Sequence, residues 1–286
     1  MATPAGSSGA AATGERLLAI DGLQVTFGST AVVDDVGFGI DRGRTVGLVG
    51  ESGSGKSMTS LAIMGLLPPG AAVTGSIRLH DRELIGLTDG ELRGLRGEVM
   101  AMVFQDPLSS LNPYYTVGLQ IAEAYLAHRG GSMAAARKIA MEAMERVHIA
   151  DAEHRIDHYP HQFSGGMRQR IMIAMALCCE PELIIADEPT TALDVTVQAQ
   201  ILQLLTDLQR DTGAGMLFIT HDLAVISGIA DDIVVMKDGR QVESGTAEQI
   251  FTVPQTDYTR MLLAATPRID DDFPELPAPR TGADRR

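Results

Sequence analysis

Short apolar runs, four to six residues long, recur along this chain and are bounded by glycine, proline or acidic residues. They lie at residues 45–49, 99–104, 183–186, 216–220 and 233–236. Runs of this length, without alternating polar positions, are typical of strands buried on both faces of a sheet. The pattern therefore predicts the buried strands of an α/β domain.

The N-terminal part follows a different pattern. Residues 17–27 alternate apolar and polar positions around Asp21 and Gly22, which predicts two short strands joined by a turn. Further strands are predicted at residues 31–40 and 75–79. We expect these segments to form an antiparallel β subdomain.

The spacing of apolar positions changes to a helical period at residues 117–127 and 133–147. We therefore expect an α-helical subdomain at about residues 107–178, inserted into a sheet-bearing domain at residues 16–266. Residues 1–15 are small and polar, and residues 267–286 are rich in proline and aspartate. Both ends are predicted to be disordered.

Charge and composition narrow the class of protein. The 286-residue chain carries a formal net charge of -14, which argues against a nucleic-acid partner. None of its apolar stretches reaches the roughly 18–20 residues that span a bilayer, and the start lacks a signal-peptide pattern. Cys178 and Cys179 are predicted to be buried reduced thiols, which favours a reducing, cytoplasmic location.

The sequence GESGSGKS at residues 50–57 follows one predicted strand and precedes a predicted helix. This is the complete phosphate-loop motif in its expected context. Glycines let backbone N–H groups converge at a helix N-terminus, Lys56 adds a full positive charge, and Ser57 offers a hard oxygen ligand for Mg²⁺. The predicted nucleotide-binding residues here are Gly50, Glu51, Ser52, Gly53, Ser54, Gly55, Lys56, Ser57 and Met58.

Polar side chains follow three other predicted strands. Asp187 and Glu188 end the strand at 183–186; the first suits Mg²⁺, and the second suits the activation of an attacking water. His221 ends the strand at 216–220, and Gln105 follows the strand at 99–104. At a sheet edge each would face a bound nucleotide, although Gln105 fits an ordinary loop residue equally well.

Other candidates have two interpretations. Ser164, Gly165 and Gly166 precede a predicted helix and form either a second anion site or a simple helix cap. Phe27 either stacks on adenine or is a half-buried strand residue. Asp194 is placed to cap the helix that follows it.

In this order the motifs resemble those of the ATP-binding cassette (ABC) family over about residues 17–264. GESGSGKS matches the phosphate loop, Gln105 the glutamine loop, and FSGGM at 163–167 the family signature. LIIADE at 183–188 matches the acidic strand, ALD at 192–194 the dimer-contact loop, and His221 the switch histidine.

The resemblance implies a P-loop NTPase of ABC type, with a mixed-sheet RecA-like core. It also implies roles: Phe27 stacks on adenine, Glu188 is the catalytic base assisted by His221 and Gln105, and Ser57, Gln105 and Asp187 hold Mg²⁺. Residues Ser164, Gly165, Gly166 and Asp194 serve the ATP site of a second copy.

The family implies ATP and Mg²⁺ as cofactors and a peripheral position at the cytoplasmic face of the cell membrane. The implied partners are a second ABC ATPase subunit, two transmembrane permease subunits and, indirectly, an extracytoplasmic solute-binding protein. Because both half-sites are intact, a homodimer is chemically possible, although the narrower group usually pairs two related ATPases. We therefore expect a heterodimer.

That narrower group is the oligopeptide/dipeptide importer ATPases, which also include nickel importers. FQDPLSSLNP at 104–113, YPHQFSGGMRQR at 159–170 and ADEPTTALDVTVQAQIL at 186–202 resemble it. Most peptide-importing members carry a later cysteine-rich segment for an iron–sulfur cluster, whereas this chain has no cysteine after Cys179. We expect no cluster and a peptide importer. The alternatives are import of nickel or another small solute, a soluble non-transport ABC ATPase, a regulatory nucleotide binder and an exporter.

Overall fold

The computed structural model describes residues 15–265 except Ala192, without the side chains of Leu108 and Ser109. Apart from Glu15, the disorder predicted at both ends falls outside the described residues. In chain order the strands are β1 (Arg16–Phe27), β2 (Thr30–Asp41), β3 (Thr45–Val49), β4 (Ala71–Leu79), β5 (Arg82–Glu83), β6 (Met100–Val103), β7 (Leu183–Asp187), β8 (Gly215–Thr220), β9 (Asp232–Lys237) and β10 (Arg240–Thr246).

The helices of the described residues lie between these strands or, for the last two, after β10. They are α1 (Lys56–Met64), α2 (Asp89–Arg93), α3 (Pro107–Ser110), α4 (Val117–Arg129), α5 (Met133–Arg146), α6 (Ala152–Arg155), α7 (Gly165–Leu177), α8 (Val195–Thr212), α9 (Leu223–Ile226), α10 (Ala247–Thr252) and α11 (Asp257–Ala265). A 3₁₀ turn, Pro160–Gln162, precedes α7.

The N-terminal strands form an antiparallel sheet in the order β2-β1-β4-β5. The prediction of two strands at residues 17–27 is wrong, because β1 is continuous and pairs with β2 on one side and β4 on the other. Asp21 and Gly22 form a β-bulge within β1, because the register of pairing with β2 shifts between Ile20 and Leu23. With a neighbour on each side, the chain gains more ladder hydrogen bonds by bulging than by turning.

The second sheet has six strands in the order β10-β9-β3-β8-β7-β6, parallel except for β10. Every residue of β3, β6, β7 and β8 is buried, as their continuous apolar runs predict. Val49 pairs with Thr220, and Asp187 pairs with Ile219. The carboxyl ends of β3, β7 and β8 therefore meet at the same edge of the sheet.

Helices α3 to α7 fill the chain between β6 and β7. The N-termini of α4, α5 and α7 have hydroxyl caps: Thr116, Ser132 and Ser164 each accept a hydrogen bond from a backbone N–H three residues ahead. Ile121 of α4 and Met144 of α5 are fully buried and belong to the same hydrophobic cluster as residues of the six-stranded sheet. This continuous core fixes the helices against the sheet. No helix within residues 15–265 is both long and apolar enough to cross a membrane.

Phe218 of β8 offers a direct test of this core. Its side chain is fully buried in the middle of the six-stranded sheet. We expect Phe218→Ala to lower the free energy of unfolding by about 3–5 kcal/mol, because the ring is lost and a cavity is left behind. Denaturant titration followed by circular dichroism measures this. Val253→Ala, at a site 61% exposed, is the control and should change stability by less than about 0.5 kcal/mol; equal effects of the two changes would contradict the assigned core.

Candidate functional site

The loop at residues 50–55 joins β3 to α1 and is built on glycine. Gly55 has φ 98°, and a Cβ there would approach the Val32 carbonyl oxygen to 2.7 Å. A Cβ at Gly50 would overlap the carbonyl oxygen of Met236. Side chains are therefore excluded at both positions by the β2 and β9 backbones, and the loop lies tightly against the sheet edge.

Lys56 begins α1 with its side chain folded under this loop. It is 4% exposed, and its Nζ donates to the carbonyl oxygens of Gly50 (2.7 Å) and Glu51 (2.8 Å) and to Ser54 Oγ (3.4 Å). Burial lowers the pKa of Lys56, while the carboxylates of Glu188 and Asp187 oppose this shift. The ammonium therefore lies in a place that would favour a bound anion.

Asp187, at the end of β7, faces α1. Its Oδ1 accepts from Ser57 Oγ at 3.2 Å and its Oδ2 from Ser60 Oγ at 3.4 Å. Burial raises the pKa of this carboxyl, against the opposing hydrogen bond from Ser57. A hydroxyl and a buried carboxylate so close together are the hard oxygen ligands that Mg²⁺ uses, so the residues present fit that ion.

Glu188 has its carboxylate held by three side chains. Gln105 Nε2 donates to Oε2 at 3.2 Å, Thr191 Oγ1 donates to the same oxygen at 2.9 Å, and His221 Nδ1 lies 3.3 Å from Oε1. The backbone of Glu188 has φ 46°, in the left-handed region, and its N–H donates to the carbonyl oxygen of Ile219 at 3.0 Å. Such a conformation is unfavourable for glutamate and persists only where the surroundings impose it.

Lys56, Ser57, Gln105 and Glu188 line a cavity of about 540 Å³, whereas Asp187 and His221 lie outside its lining. It is lined by Ala31, Val32, Ser52, Gly53, Gly55, Lys56, Ser57, Met58, Gln105, Glu188, Asp238 and Gly239. The structure thus brings the phosphate loop together with the residues that follow β6 and β7. Phe27 is half-buried and packs against the hydrophobic cluster of the antiparallel sheet, so its contact with adenine stays a prediction.

Ser164, Gly165 and Gly166 lie elsewhere in the same chain. Ser164 is exposed and caps α7, accepting from the N–H of Met167 at 3.4 Å. Gly165 lines a separate cavity of about 290 Å³, together with Gln105 and Thr191. Asp194 caps α8, as predicted, by accepting from the N–H of Val197 at 3.0 Å. Within one chain, therefore, these residues do not complete the phosphate-loop cavity.

Several contacts at the site have only a weak signal in the sequence. Thr191 lies three residues after Glu188, and the turn between them brings its hydroxyl to the Glu188 carboxylate. Ser60 lies one helical turn after Ser57, which places its hydroxyl beside Asp187 as well. Asp238 and Gly239 reach the cavity from the β9–β10 turn, and Val32 reaches it from β2. These positions depend on tertiary packing.

Comparison with known proteins agrees with this geometry. A profile of the family described as ABC transporter matches residues 33–191, more than half of the chain. The chain is 50% identical over 268 residues to the dipeptide transport ATP-binding protein DppD of Bacillus subtilis, covering 92% of this chain and 80% of that protein. It is 48% identical over 264 residues to the oligopeptide transport ATP-binding protein OppD of Salmonella typhimurium, covering 91% and 79%.

Solved structures show the same fold. The structure of cbiO1 from Clostridium perfringens, part of the transporter complex cbiONQ, has a TM-score of 0.73 at 28% identity, covering 84% of this chain and 92% of that one. The dimeric post-hydrolysis structure of the ATP-binding cassette MJ0796, bound to ADP and phosphate, has a TM-score of 0.70 at 29% identity, covering 81% and 99%. These likenesses confirm the predicted α/β fold class of ABC type. This chain belongs to the ABC transporter family.

Proposed function

We propose that the chain is the ATP-hydrolysing subunit of an ABC importer for peptides. The observation that carries the enzymatic part is the Glu188 carboxylate, which three side chains aim at the edge of the phosphate-loop cavity. The peptide part is supported by the relatives, which are named for dipeptide and oligopeptide transport.

ATP binding uses the loop and Lys56. The lysine Nζ exchanges its bonds to the Gly50 and Glu51 carbonyl oxygens for the β- and γ-phosphates, while loop N–H groups and the α1 N-terminus face the same anion. Ser57 and Asp187 are the proposed ligands of Mg²⁺, with Gln105 at the cavity wall. The bound ion supplies positive charge against the phosphate oxygens.

Hydrolysis needs a positioned water and a base. Glu188 is proposed to orient a water molecule and accept its proton, since its carboxylate borders the cavity beside Lys56. Gln105 and His221, each within 3.3 Å of that carboxylate, hold it toward the cavity. Gln105 follows β6 and His221 follows β8, so the position of Glu188 depends on the sheet and not on a single loop.

A second ATPase subunit completes the site. Ser164 is exposed at the positive end of α7 and lies outside its own chain's phosphate-loop cavity, which suits contact with ATP held by a partner. Gly165, Gly166 and Asp194 accompany it in that proposed interface. We favour a related, non-identical ATPase as partner, while a homodimer remains chemically possible.

The remaining partners are proposed from the family. Helices at residues 107–178 and the exposed side chains of Tyr114 and Tyr115 are proposed to transmit closure to two permease subunits. The chain then lies at the cytoplasmic face of the membrane, and an extracytoplasmic solute-binding protein acts through the permeases. Neither an iron–sulfur cluster nor a nucleic acid is part of this proposal.

The solute is tested with the complete transporter. In vesicles holding this chain, its partner ATPase and the permeases, a peptide-loaded binding protein should stimulate ATP hydrolysis and drive labelled peptide across the membrane. The alternative solute is Ni²⁺, offered in the same way with its own binding protein. Stimulation by nickel and not by any di- or oligopeptide would overturn the peptide assignment while leaving the ATPase intact.

Glu188→Gln tests the base. We expect ATP affinity to stay near that of the wild type, because the amide keeps the shape of the side chain. Hydrolysis should fall by about 10²–10⁴-fold, the usual contribution of a general base. Nucleotide titration and phosphate release by the assembled complex measure the two effects. Lys56→Ala is the contrasting variant, since it should lose tight ATP binding itself; unchanged turnover in Glu188→Gln would exclude Glu188 as the base.

Ser164→Glu tests the shared site. A carboxylate at the α7 N-terminus should repel the γ-phosphate held by the partner, while ATP binding to each separate chain stays intact. In a Glu188→Gln background with Mg²⁺ and ATP, sedimentation should show dimers for the parent and monomers for the Ser164→Glu variant. Glu153→Gln, which also changes the charge by one unit but at an exposed site on α6, is the control. Dimers of equal stability in all three proteins would contradict the proposed interface.

A further inference from the structure

A tyrosine from the last described helix reaches the phosphate loop. Tyr258, on α11, is 8% exposed, and its hydroxyl oxygen accepts a hydrogen bond from the backbone N–H of Glu51 at 3.2 Å. The two residues are 207 positions apart in the chain. Burial raises the pKa of this phenol, so it stays protonated and neutral at physiological pH.

This hydrogen bond acts on the same peptide group that holds Lys56. The N–H of Glu51 and the C=O of Gly50 belong to one planar peptide unit. Tyr258 holds its N–H edge, and Lys56 Nζ holds its C=O edge at 2.7 Å. Rotation of this peptide plane would break both hydrogen bonds together. The bond from Tyr258 therefore fixes the orientation of the Gly50 carbonyl group toward Lys56.

Two contacts hold Tyr258 in place, one to its ring and one to the start of its helix. Lys237 Nζ, at the end of β9, lies 4.8 Å from the ring centroid, a cation–π contact. The start of α11 is fixed by Glu243 of β10, whose carboxylate accepts from the N–H groups of Gln255 (2.6 Å) and Thr256 (3.0 Å). The position of the Tyr258 hydroxyl beside the phosphate loop is therefore fixed by the contacts of α11.

We infer that Tyr258 is a positioning residue for ATP binding, which orients the Gly50–Glu51 peptide so that Lys56 is correctly placed for the phosphates. The inference rests on the proposed ATPase function and adds to it a residue that lies outside the phosphate-loop motif. It makes the segment after β10 part of the nucleotide site. The side chain is not among the residues that line the phosphate-loop cavity, so we expect it to act on ATP binding through the loop and not on the chemical step.

The test removes only the hydroxyl. Tyr258→Phe in the full chain keeps the ring and its contact with Lys237, but leaves the Glu51 N–H without its protein acceptor. We expect the Kd for ATP to rise about three- to ten-fold, the range for one hydrogen bond, and the KM of the assembled complex to rise with it. The kcat at saturating ATP should stay within about two-fold of the wild type. Tyr125→Phe, a half-buried tyrosine on α4, is the matched control and should leave the Kd unchanged.

A second readout does not depend on nucleotide. Amide hydrogen exchange in the ATP-free chain should be faster at Glu51 in Tyr258→Phe than in the wild type or in Tyr125→Phe. Any one of three results for Tyr258→Phe would overturn the inference but not the proposed function. These are an ATP affinity equal to that of the wild type, a lower kcat at unchanged KM, and unchanged exchange at Glu51. A wild-type chain that does not bind ATP would instead overturn the proposed function, and the inference with it.

Discussion

The alignment of strand ends at one edge of the six-stranded sheet is the constraint on which the site depends. Backbone pairing sets Val49 of β3 beside Thr220 of β8, and Ile219 beside Asp187 of β7. The residues that come next in each segment, Gly50, Glu188 and His221, are then neighbours without any further adjustment. Because all three strands are buried along their whole length, a slip of one residue would move every side chain to the opposite buried face, where it would have to pack against different neighbours. The fold therefore protects the site through the stability of its core.

Several residues of the site lower the stability of the folded chain when no ligand is bound. Burial lowers the pKa of Lys56 and raises that of Asp187, so the surroundings disfavour the charged form of both groups. Glu188 adds a backbone in the left-handed region. A magnesium–nucleotide complex brings phosphate charge to the lysine and cationic charge to the aspartate. Binding of that complex would therefore offset the cost of burying these two charged groups.

Much of this arrangement can be predicted from the sequence because it is local. The apolar runs that become β3, β6, β7 and β8 are short and uninterrupted, and the polar residues that end them must lie near the sheet edge. The prediction was wrong at Asp21 and Gly22, since an Asp-Gly pair favours a turn and nothing local shows that β1 has a partner strand on each side. The contact of Thr191 with Glu188 depends on the conformation of the turn after β7, and the contact of Tyr258 with the phosphate loop depends on tertiary packing, because its partner is 207 positions away.

The N-termini of α1 and α7 differ in their surroundings, and this difference bears on whether one chain can form a complete nucleotide site. The N-terminus of α1 lines a cavity together with residues that follow several strands, whereas Ser164 at the N-terminus of α7 is exposed and its hydroxyl caps its own helix. A helix end alone binds phosphate weakly in water, because solvent screens its partial charge. It gains strength only when another surface covers it and excludes water. An exposed Ser-Gly-Gly start of α7 would therefore contribute to nucleotide binding only within an interface, and this is the physical basis of the proposed control of subunit association by ATP.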